Sequence, residues 1–314
     1  MKKVTKNFSF LILLLSIIMS VNLNNYFYLW VTLEINMMSF IPIMDADKKT
    51  STNMMKYFII QSLASSVFFL SIITEYYMNF NSMGNNILLT SMMMKLGASP
   101  FHTWLPQVAE SLNWNSVMIL LTLQKFIPLY VLSMNKSNII FLSIIMSAIF
   151  GSMGLFYQKS LRKLMAFSSI SHLAWMMYTL FSEFSSWLYY IMTYFLISVT
   201  VIMNMNNSNP MTTNDLKSMM DHQTIILFSI SMMSLAGMPP LLGFFPKWMA
   251  ILNSPNINIL LSLLILSSLV NMYIYMKLIF PLVLTKNNFN KKMKNFYPTI
   301  IINMMLPLVM PFTS

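Results

Sequence analysis

SMMMKLGASPFHTWLP, residues 91–106, decides the fold class, because it places a lysine inside an apolar run that is long enough to cross a membrane. The run belongs to a candidate span at 84–105, and a transmembrane helix needs about 20 mainly apolar residues. Gly97 and Pro100 follow Lys95 closely, and a proline removes a helix donor and clashes with the preceding turn. The sequence therefore predicts a membrane-spanning helix that breaks just after a buried lysine.

Hydrophobic runs of this length recur along the whole chain. Of its 314 residues, 57% are hydrophobic and 9% are charged, too few charges to cover a water-soluble protein of this size. We therefore predict an all-α, polytopic membrane protein with eleven transmembrane helices. The candidate spans are 5–22, 25–44, 54–77, 84–105, 114–134, 138–157, 160–181, 184–205, 223–250, 257–283 and 296–313. The longest loop, 206–222, is too short to hold a soluble domain, so we expect residues 1–314 to form a single membrane domain.

The distribution of the positive charges predicts the orientation of these spans. Fourteen lysines and arginines fall on the side of the N-terminus, whereas only Lys136 falls on the other side. Such an excess is typical of the cytoplasmic or matrix side of a membrane. The net charge of +11 is thus explained by topology, and we expect no nucleic-acid partner. Because no small-residue cleavage site follows the first span, we expect 5–22 to be a retained helix and not a cleaved signal.

Charged side chains inside the spans are the candidate functional residues, since a charge in the bilayer is costly without a partner or a water-filled cavity. Glu34 lies midway along the second span. It is either half of a structural ion pair or a protonatable group in a relay. Lys95 precedes a helix break whose freed carbonyls are tolerated only beside protein or water. This favours a transport path, and a Lys95–Glu34 pair is the expected partner assignment.

Three further residues extend this set. Lys125 lies in the middle of the fifth span, too far from either end to reach the interface easily, and a desolvated lysine suits a group that takes and releases protons. Lys247 has two interpretations. It is an interfacial anchor beside Trp248 if its helix is straight, or a buried functional lysine if the glycines and prolines at 237–246 interrupt that helix. His172 fits a packing role and a proton relay equally well.

Other features receive simpler interpretations. Lys277 lies about six residues from the basic side of its span, where we expect its side chain to snorkel. His102 lies beyond the Pro100 break and is expected to be structural. The chain has no cysteine, which excludes thiolate metal sites and the ordinary iron–sulfur ligand sets, and none of its six glycines belongs to a phosphate-binding loop.

The fourth and ninth spans each place a lysine beside a glycine- and proline-rich break. Paired discontinuous helices are typical of secondary transporters built from inverted repeats. The five-span separation predicts such an inverted-repeat arrangement and a relay through the buried charges. Three alternatives stay open at this point: a purely structural membrane subunit, a stand-alone cation/proton antiporter, and a haem carrier with His102 and His172 as ligands.

Five ordered motifs carry a resemblance to a known family. They are LEIN at 33–36, KLGASPFHTWLP at 95–106, LQKFIP at 123–128, LRKLMAFSSISHLAWM at 161–176 and GMPPLLGFFPKW at 237–248. Together they resemble the mitochondrial NADH dehydrogenase subunit 2 family, the antiporter-like membrane subunits of respiratory complex I. The 35 methionines agree with an A+T-rich animal mitochondrial genome, and we expect an invertebrate source.

The resemblance implies a core membrane-arm subunit of NADH:ubiquinone oxidoreductase that translocates protons. Its implied proton-transfer relay consists of Glu34, Lys95, Lys125 and Lys247, with His172 as a further member. The resemblance also implies no redox chemistry and no cofactor in this chain, with FMN, the iron–sulfur clusters and ubiquinone bound by other subunits. The implied partners are other membrane-arm subunits, membrane lipids and the transported protons. The implied location is the mitochondrial inner membrane, with the N-terminus in the matrix and the C-terminus on the intermembrane side.

Overall fold

A computed structural model describes residues 2–23, 25–44, 48–78, 81–182, 184–213, 215–219, 222–253 and 258–284, and within these ranges the regular structure is helical apart from one isolated bridge. The helices are α1 (Lys2–Val21), α2 (Tyr26–Phe40), a 3₁₀ turn (Ile41–Ile43), α3 (Lys48–Met78), α4 (Asn81–Leu96), α5 (Trp104–Ser111), α6 (Trp114–Leu121), α7 (Leu123–Met134), α8 (Ile139–Phe156), α9 (Leu161–Thr179), α10 (Phe184–Ser208), α11 (Asp215–Met219), α12 (His222–Ala236), α13 (Phe244–Leu252) and α14 (Asn258–Val283).

The predicted spans coincide with these helices from the first to the tenth, singly or as broken pairs. The eleventh, 296–313, lies outside the described residues, so the count of eleven stays a prediction. Six described stretches are long and apolar enough to cross a membrane. They are Val4–Val21, Ser51–Tyr76, Trp114–Met134, Ile139–Phe156, Ser186–Asn206 and Ile259–Val283. The chain is thus a polytopic helical membrane protein, as predicted.

The chain divides into two compact units, residues 1–147 and 148–314, with α8 running across the boundary. In the first unit, α3 packs against α2, α4 and α5, α1 packs against α2, and α4 packs against α7. In the second unit, α10 packs against α9, α12 and α13, and α14 packs against α9 and α12. Each unit therefore packs continuous helices against a broken one.

Buried hydroxyl groups are satisfied mostly within their own helices. Ser71 Oγ donates to Phe68 O at 2.6 Å, Ser147 Oγ to Ile144 O at 3.1 Å and Ser231 Oγ to Phe228 O at 2.9 Å. A polar group in an apolar environment needs such a partner. Serine-rich helices can therefore pack in an apolar environment without requiring polar neighbours.

Both broken helices begin their break with the same backbone turn. Gly97 has φ +66° after α4, and Gly237 has φ +83° after α12, in the left-handed region that favours glycine. The N–H of each glycine donates to a carbonyl three residues earlier, and the N–H of the following residue donates to a carbonyl five residues earlier. This pattern is the Schellman cap, which satisfies two terminal carbonyls of a helix. In both units a short helix then restarts seven residues after the glycine, at Trp104 and Phe244.

The repeat extends to the prolines and fixes a register between the two breaks. Prolines stand three and nine residues after each glycine, at 100 and 106 in the first unit and at 240 and 246 in the second. In this register Lys95 precedes its glycine by two residues, whereas Lys247 follows its glycine by ten. The two lysines are therefore not equivalent positions of the repeat.

A third interruption lies in the fifth span, 114–134, which is predicted as one continuous helix. Thr122, with φ −117° and ψ −81°, separates α6 from α7. Its hydroxyl donates to Met118 O, and Lys125 N donates to Thr122 O at 3.0 Å. Pro128, inside α7, offers no N–H to the Gln124 carbonyl one turn earlier. The helix is thus interrupted beside a second buried lysine.

Candidate functional site

Lys95 lies at the end of α4 beside a polar cavity in the first unit. Its side chain is 6% exposed, and it lines a small cavity. The polar residues that line this cavity are Asn36 of α2, Tyr57 and Gln61 of α3, Lys95 of α4 and Gln124 of α7. Three helices therefore bring neutral hydrogen-bonding groups to the buried amine of a fourth.

Hydrogen bonds join these lining residues into a network. Gln124 Nε2 donates to Asn36 Oδ1 at 2.8 Å, and the Tyr57 hydroxyl donates to Gln124 Oε1 at 3.3 Å. Gln61 Nε2 donates to the backbone carbonyl of Lys95 at 3.2 Å. Amides and phenols both donate and accept, so the cavity wall can hydrogen-bond to water in either orientation.

Glu34 is half-buried on α2, two residues before Asn36. It interacts electrostatically with Lys95, although the described residues contain no Glu34–Lys95 hydrogen bond or ion pair closer than 4.0 Å. The two groups predicted to form a pair therefore lie within range of each other without touching. This arrangement differs from a fixed salt bridge, in which the two side chains would be in direct contact.

Lys125 is 2% exposed on α7, three residues after the interruption at Thr122. Its neighbour in sequence, Gln124, belongs to the hydrogen-bond network of the Lys95 cavity. The first unit thus brings Glu34, Lys95 and Lys125 to the same group of helices, α2, α4 and α7.

Lys247 is 8% exposed on α13 and turns back toward the helix break, where its Nζ donates to Ala236 O at 2.7 Å. In a continuous helix this carbonyl would accept the N–H of residue 240, but Pro240 has none. The lysine supplies the missing donor. A buried amine in this position does not act as an interfacial anchor, whereas its neighbour Trp248 is exposed.

Two glycines allow a close approach at this break, one to the lysine and one to the backbone of α12. A Cβ at Gly237 would lie 2.8 Å from Lys247 Nζ. A Cβ at Gly243 would overlap the Ser234 carbonyl oxygen, so α13 could not approach α12 as closely. The break in the second unit is therefore fitted closely around its lysine.

His172 lies on α9, which is buried along nearly its whole length. Its Nδ1 is 3.0 Å from the Tyr190 hydroxyl on α10, and its ring centroid is 5.2 Å from that of Tyr194. The histidine is thus part of a polar aromatic group and does not contact only apolar side chains. Lys247 and His172 both belong to the second unit, where α13 packs against α9.

The remaining ionisable residues agree with their simpler interpretations. Lys277 is exposed, as snorkelling requires. His102 is half-exposed, and its Nδ1 lies 3.0 Å from Ser99 Oγ within the same turn. Such a local contact fits a structural role.

The neutral members of the Lys95 cavity are not among the site residues predicted from the sequence: Asn36, Tyr57, Gln61 and Gln124. Two of them stand close to predicted site residues, since Asn36 follows Glu34 by two positions and Gln124 precedes Lys125. A side-chain amide within an apolar span is a signal of the same kind as a charge, because it also needs a partner there. That criterion would have found three of the four.

The helices, their breaks and the buried lysines define an antiporter-like membrane protein, and comparison with known proteins agrees. Residues 23–274 match the family described as NADH:quinone oxidoreductase/Mrp antiporter, transmembrane. A chain of respiratory complex I from Thermus thermophilus shares the fold, with a TM-score of 0.76 at 20% identity, covering 95% of this chain and 81% of that one. A chain of an archaeal membrane-bound sulfane sulfur reductase gives 0.82 at 16% identity, covering 94% and 70%.

Curated relatives narrow the assignment. NADH-ubiquinone oxidoreductase chain 2 of Anopheles gambiae is 36% identical over 318 residues, covering 94% of this chain and 93% of the mosquito protein. The chain 2 protein of Rhipicephalus sanguineus is 38% identical over 312 residues, covering 95% and 97%. The chain therefore belongs to the NADH-ubiquinone oxidoreductase chain 2 family, within the NADH:quinone oxidoreductase and Mrp antiporter group.

Proposed function

We propose that this chain is a core membrane-arm subunit of NADH:ubiquinone oxidoreductase and moves protons across the mitochondrial inner membrane while quinone is reduced elsewhere in the complex. The observation that carries the proposal is the buried Lys95 beside a helix break, lining a polar cavity and within electrostatic range of Glu34. A static packing role explains neither the cavity nor the separation of the two charges.

The relay runs through Glu34, Lys95, Lys125 and Lys247, with His172 as an intermediate group. Charges in a low-dielectric interior interact strongly, so a change of protonation at one group alters the proton affinity of the next. Lys95 and Glu34 interact without contact, which lets each exchange its proton while the other responds. Gln124 lines the Lys95 cavity and directly precedes Lys125 in the sequence. Its network therefore offers hydrogen-bonding groups to water between Lys95 and Lys125.

The second lysine works differently. Lys247 holds the carbonyl that Pro240 leaves without a donor, so its amine is held at the break. A neutral amine can still donate this hydrogen bond, because it retains two N–H groups. Protonation can therefore change at Lys247 without losing the contact that positions it.

The chain itself carries out no redox step in this proposal. It has no cysteine with which to hold an iron–sulfur cluster. FMN, the clusters and ubiquinone belong to other subunits of the complex. The energy for proton movement therefore reaches this chain through electrostatic or conformational coupling with its neighbours.

The chain is a multi-pass protein of the mitochondrial inner membrane, like its animal relatives. The proposed orientation places the N-terminus in the matrix and the C-terminus on the intermembrane side, on the strength of the positive-charge bias. Neighbouring membrane-arm subunits and lipid would cover the large exposed apolar side chains, of which Leu11 and Leu15 on α1 and Leu266 on α14 are examples. Protons are the transported species.

The test is Lys125→Met in the assembled complex, reconstituted in sealed vesicles. Methionine keeps most of the buried volume but carries no proton, so we expect fewer protons pumped per NADH oxidised, with the amount of assembled complex unchanged. The loss should be roughly tenfold or more in this path, in the range typical of removing a proton-transfer group. The measurement is acidification of the vesicle interior against NADH consumption.

Lys277→Met is the matched control, because Lys277 is a lysine of the same chain that is exposed. It should pump normally. Undiminished pumping by Lys125→Met would remove Lys125 from the path. Normal pumping by the Met variants of all three buried lysines would favour a purely structural subunit instead.

A further inference from the structure

A polar cluster in the second unit joins α14 to His172, and no step of the proposed relay uses it. On α9, Ser168, Ser171 and His172 are buried, and α14 places Asn271 and Tyr275 against this helix at 6% and 1% exposure. Asn271 Nδ2 donates to Ser171 Oγ at 2.9 Å. Two side chains of α14 with polar ends thus face the most buried helix of the unit.

The orientation of the Asn271 amide is fixed by its neighbour. Ser171 Oγ donates its only hydrogen to Ser168 O at 2.7 Å, so it can only accept from Asn271. The amide must therefore present its NH₂ group to Ser171. Its other end, Oδ1, is buried and has no hydrogen-bond partner in the described part of the chain.

A second buried polar atom lies on the same face of α14. The Tyr275 hydroxyl is oriented toward Ser168, whose own hydrogen is donated to Met165 O at 2.7 Å, but the two hydroxyl groups are not within hydrogen-bonding geometry of each other, and the Tyr275 hydroxyl has no other partner among the described residues. Tyr275 follows Asn271 by one turn, and a helical side chain covers the turn that precedes its own Cα. Its hydroxyl therefore extends back toward the level of Asn271 Oδ1.

The cluster is close to the histidine of the proposed relay. Tyr275 interacts electrostatically with Tyr190 and Tyr194. The Tyr190 hydroxyl is the group that lies 3.0 Å from His172 Nδ1. The two unsatisfied atoms of α14 therefore border the polar surroundings of His172.

A buried polar atom without a partner is costly, and in proteins such atoms are usually satisfied by ordered water that makes about three hydrogen bonds. Asn271 Oδ1 is an acceptor, and the Tyr275 hydroxyl and Ser168 Oγ offer two further groups. We propose that Asn271 and Tyr275 hold a buried water against α9, and that this water hydrogen-bonds to the Tyr190 hydroxyl and so orients the His172–Tyr190 pair.

The hydrogen bonds of such a site balance. Asn271 Oδ1 accepts one hydrogen of the water, the Tyr275 hydroxyl donates to the water oxygen, and the second hydrogen of the water is donated to the Tyr190 hydroxyl oxygen. The Tyr190 hydroxyl then keeps its own hydrogen for His172 Nδ1, so that the pair is held in the orientation that proton exchange at His172 needs. Asn271 and Tyr275 are positioning residues in this scheme, since they hold the water and are not themselves the relay.

This inference rests on the proposed function, because it assigns a role at His172 in the same proton path. Tyr275→Phe removes one oxygen and keeps the ring, so the packing of α14 on α9 is retained. Asn271→Leu removes both polar atoms at similar volume. Ser267→Ala is the control, since Ser267 is buried one turn earlier on α14 and its hydroxyl donates to Leu264 O of its own helix at 2.7 Å.

The experiment compares these variants in the assembled complex, in sealed vesicles, in H₂O and D₂O. We expect Tyr275→Phe and Asn271→Leu to lower the protons pumped per NADH about fivefold, in line with the loss of one hydrogen-bonded link, and to raise the solvent isotope effect. A purely structural role would lower the amount of complex without changing the isotope effect. Ser267→Ala should match the unmodified protein in both quantities.

Wild-type pumping and isotope effect in Tyr275→Phe would overturn the proposal, and this variant decides it even if Asn271→Leu fails to assemble. Lys125→Met, measured in parallel, separates the two levels of inference. If Lys125→Met pumps poorly and Tyr275→Phe normally, only the water site is wrong. If Lys125→Met pumps normally, the proposed relay itself is wrong.

Discussion

The two broken helices share a backbone design and differ in what they do with their lysines. Both begin with a glycine at positive φ, cap the preceding helix in the same way, and restart a helix seven residues later. In the first unit Lys95 stands before the break and lines a cavity, and a glutamine caps its carbonyl. In the second unit Lys247 stands after the break and is itself the donor to a freed carbonyl.

This difference separates two tasks that a break in a membrane helix creates. The freed carbonyls need donors, since unsatisfied backbone groups are expensive away from water. The space opened by the break can hold a protonatable side chain. The first unit assigns these tasks to Gln61 and Lys95, whereas in the second unit Lys247 performs both. Stability and proton transfer should therefore be separable in the first unit and coupled in the second.

The largest expected effect is at Gly243. In the register of the repeat its counterpart is Thr103, which is exposed and has a side chain, so the first break tolerates what the second does not. A Cβ at 243 would overlap the Ser234 carbonyl oxygen, a backbone atom that no rotamer change can move. We expect Gly243→Ala to cost on the order of 3 kcal/mol or more. The measurement is the amount of assembled complex on native gels.

Thr103→Ala is the control at the matched position, and we expect a normal amount of complex. Equal amounts of complex for Gly243→Ala and Thr103→Ala would contradict this expectation, because the second break would then be no tighter than the first.

An intermediate effect is expected from two substitutions at Lys247. Methionine and glutamine both remove the proton carrier, so both should lower pumping. Only glutamine can still donate to Ala236 O, and leaving a buried carbonyl unsatisfied costs about 1–3 kcal/mol. We therefore expect Lys247→Met to lower the thermal stability of the assembled complex more than Lys247→Gln does.

The same pair of substitutions at Lys95 provides the comparison. The side-chain donors to the last carbonyls of α4 are Gln61 and Trp104 and not the lysine amine, so Lys95→Met and Lys95→Gln should be equally stable. A stability difference at Lys95 as large as that at Lys247 would contradict the division of tasks between the two units.

Most of this fold is legible in the sequence. Transmembrane helices are long apolar runs, and lipid demands that each of them satisfy its own backbone, so hydropathy alone locates them. The breaks were predictable as well, because Gly97, Pro100, Gly237 and Pro240 have few other uses within an apolar span. The interruption at Thr122 was harder, since its only marker is Pro128, six residues further on.

The candidate site was only partly predictable. A charge inside a span is conspicuous, so Glu34, Lys95, Lys125 and Lys247 stand out from the sequence. The unequal placement of the two lysines was also readable by aligning the glycines and prolines of the two breaks. The direction of a side chain is not readable in this way, and the turn of Lys247 back to Ala236 O depends on the angle between α12 and α13.

The smallest expected effect is at Gln61, and it tests the separation of tasks in the first unit. Gln61→Leu removes the donor to the Lys95 carbonyl, which should cost about 0.5–1.5 kcal/mol of stability, the typical worth of one hydrogen bond. Pumping per NADH should stay normal, because the lysine amine and the Gln124 network remain. The measurement pairs the thermal stability of the complex with vesicle acidification.

Gln107→Leu is the control, since Gln107 is exposed and accepts from Lys56 Nζ at 3.3 Å on the surface. It should change neither quantity. A loss of pumping in Gln61→Leu as large as that in Lys95→Met would mean that the amide belongs to the proton path. Capping and proton transfer would then be coupled in both units, and the break in the first unit would differ from the second only in the identity of its donor.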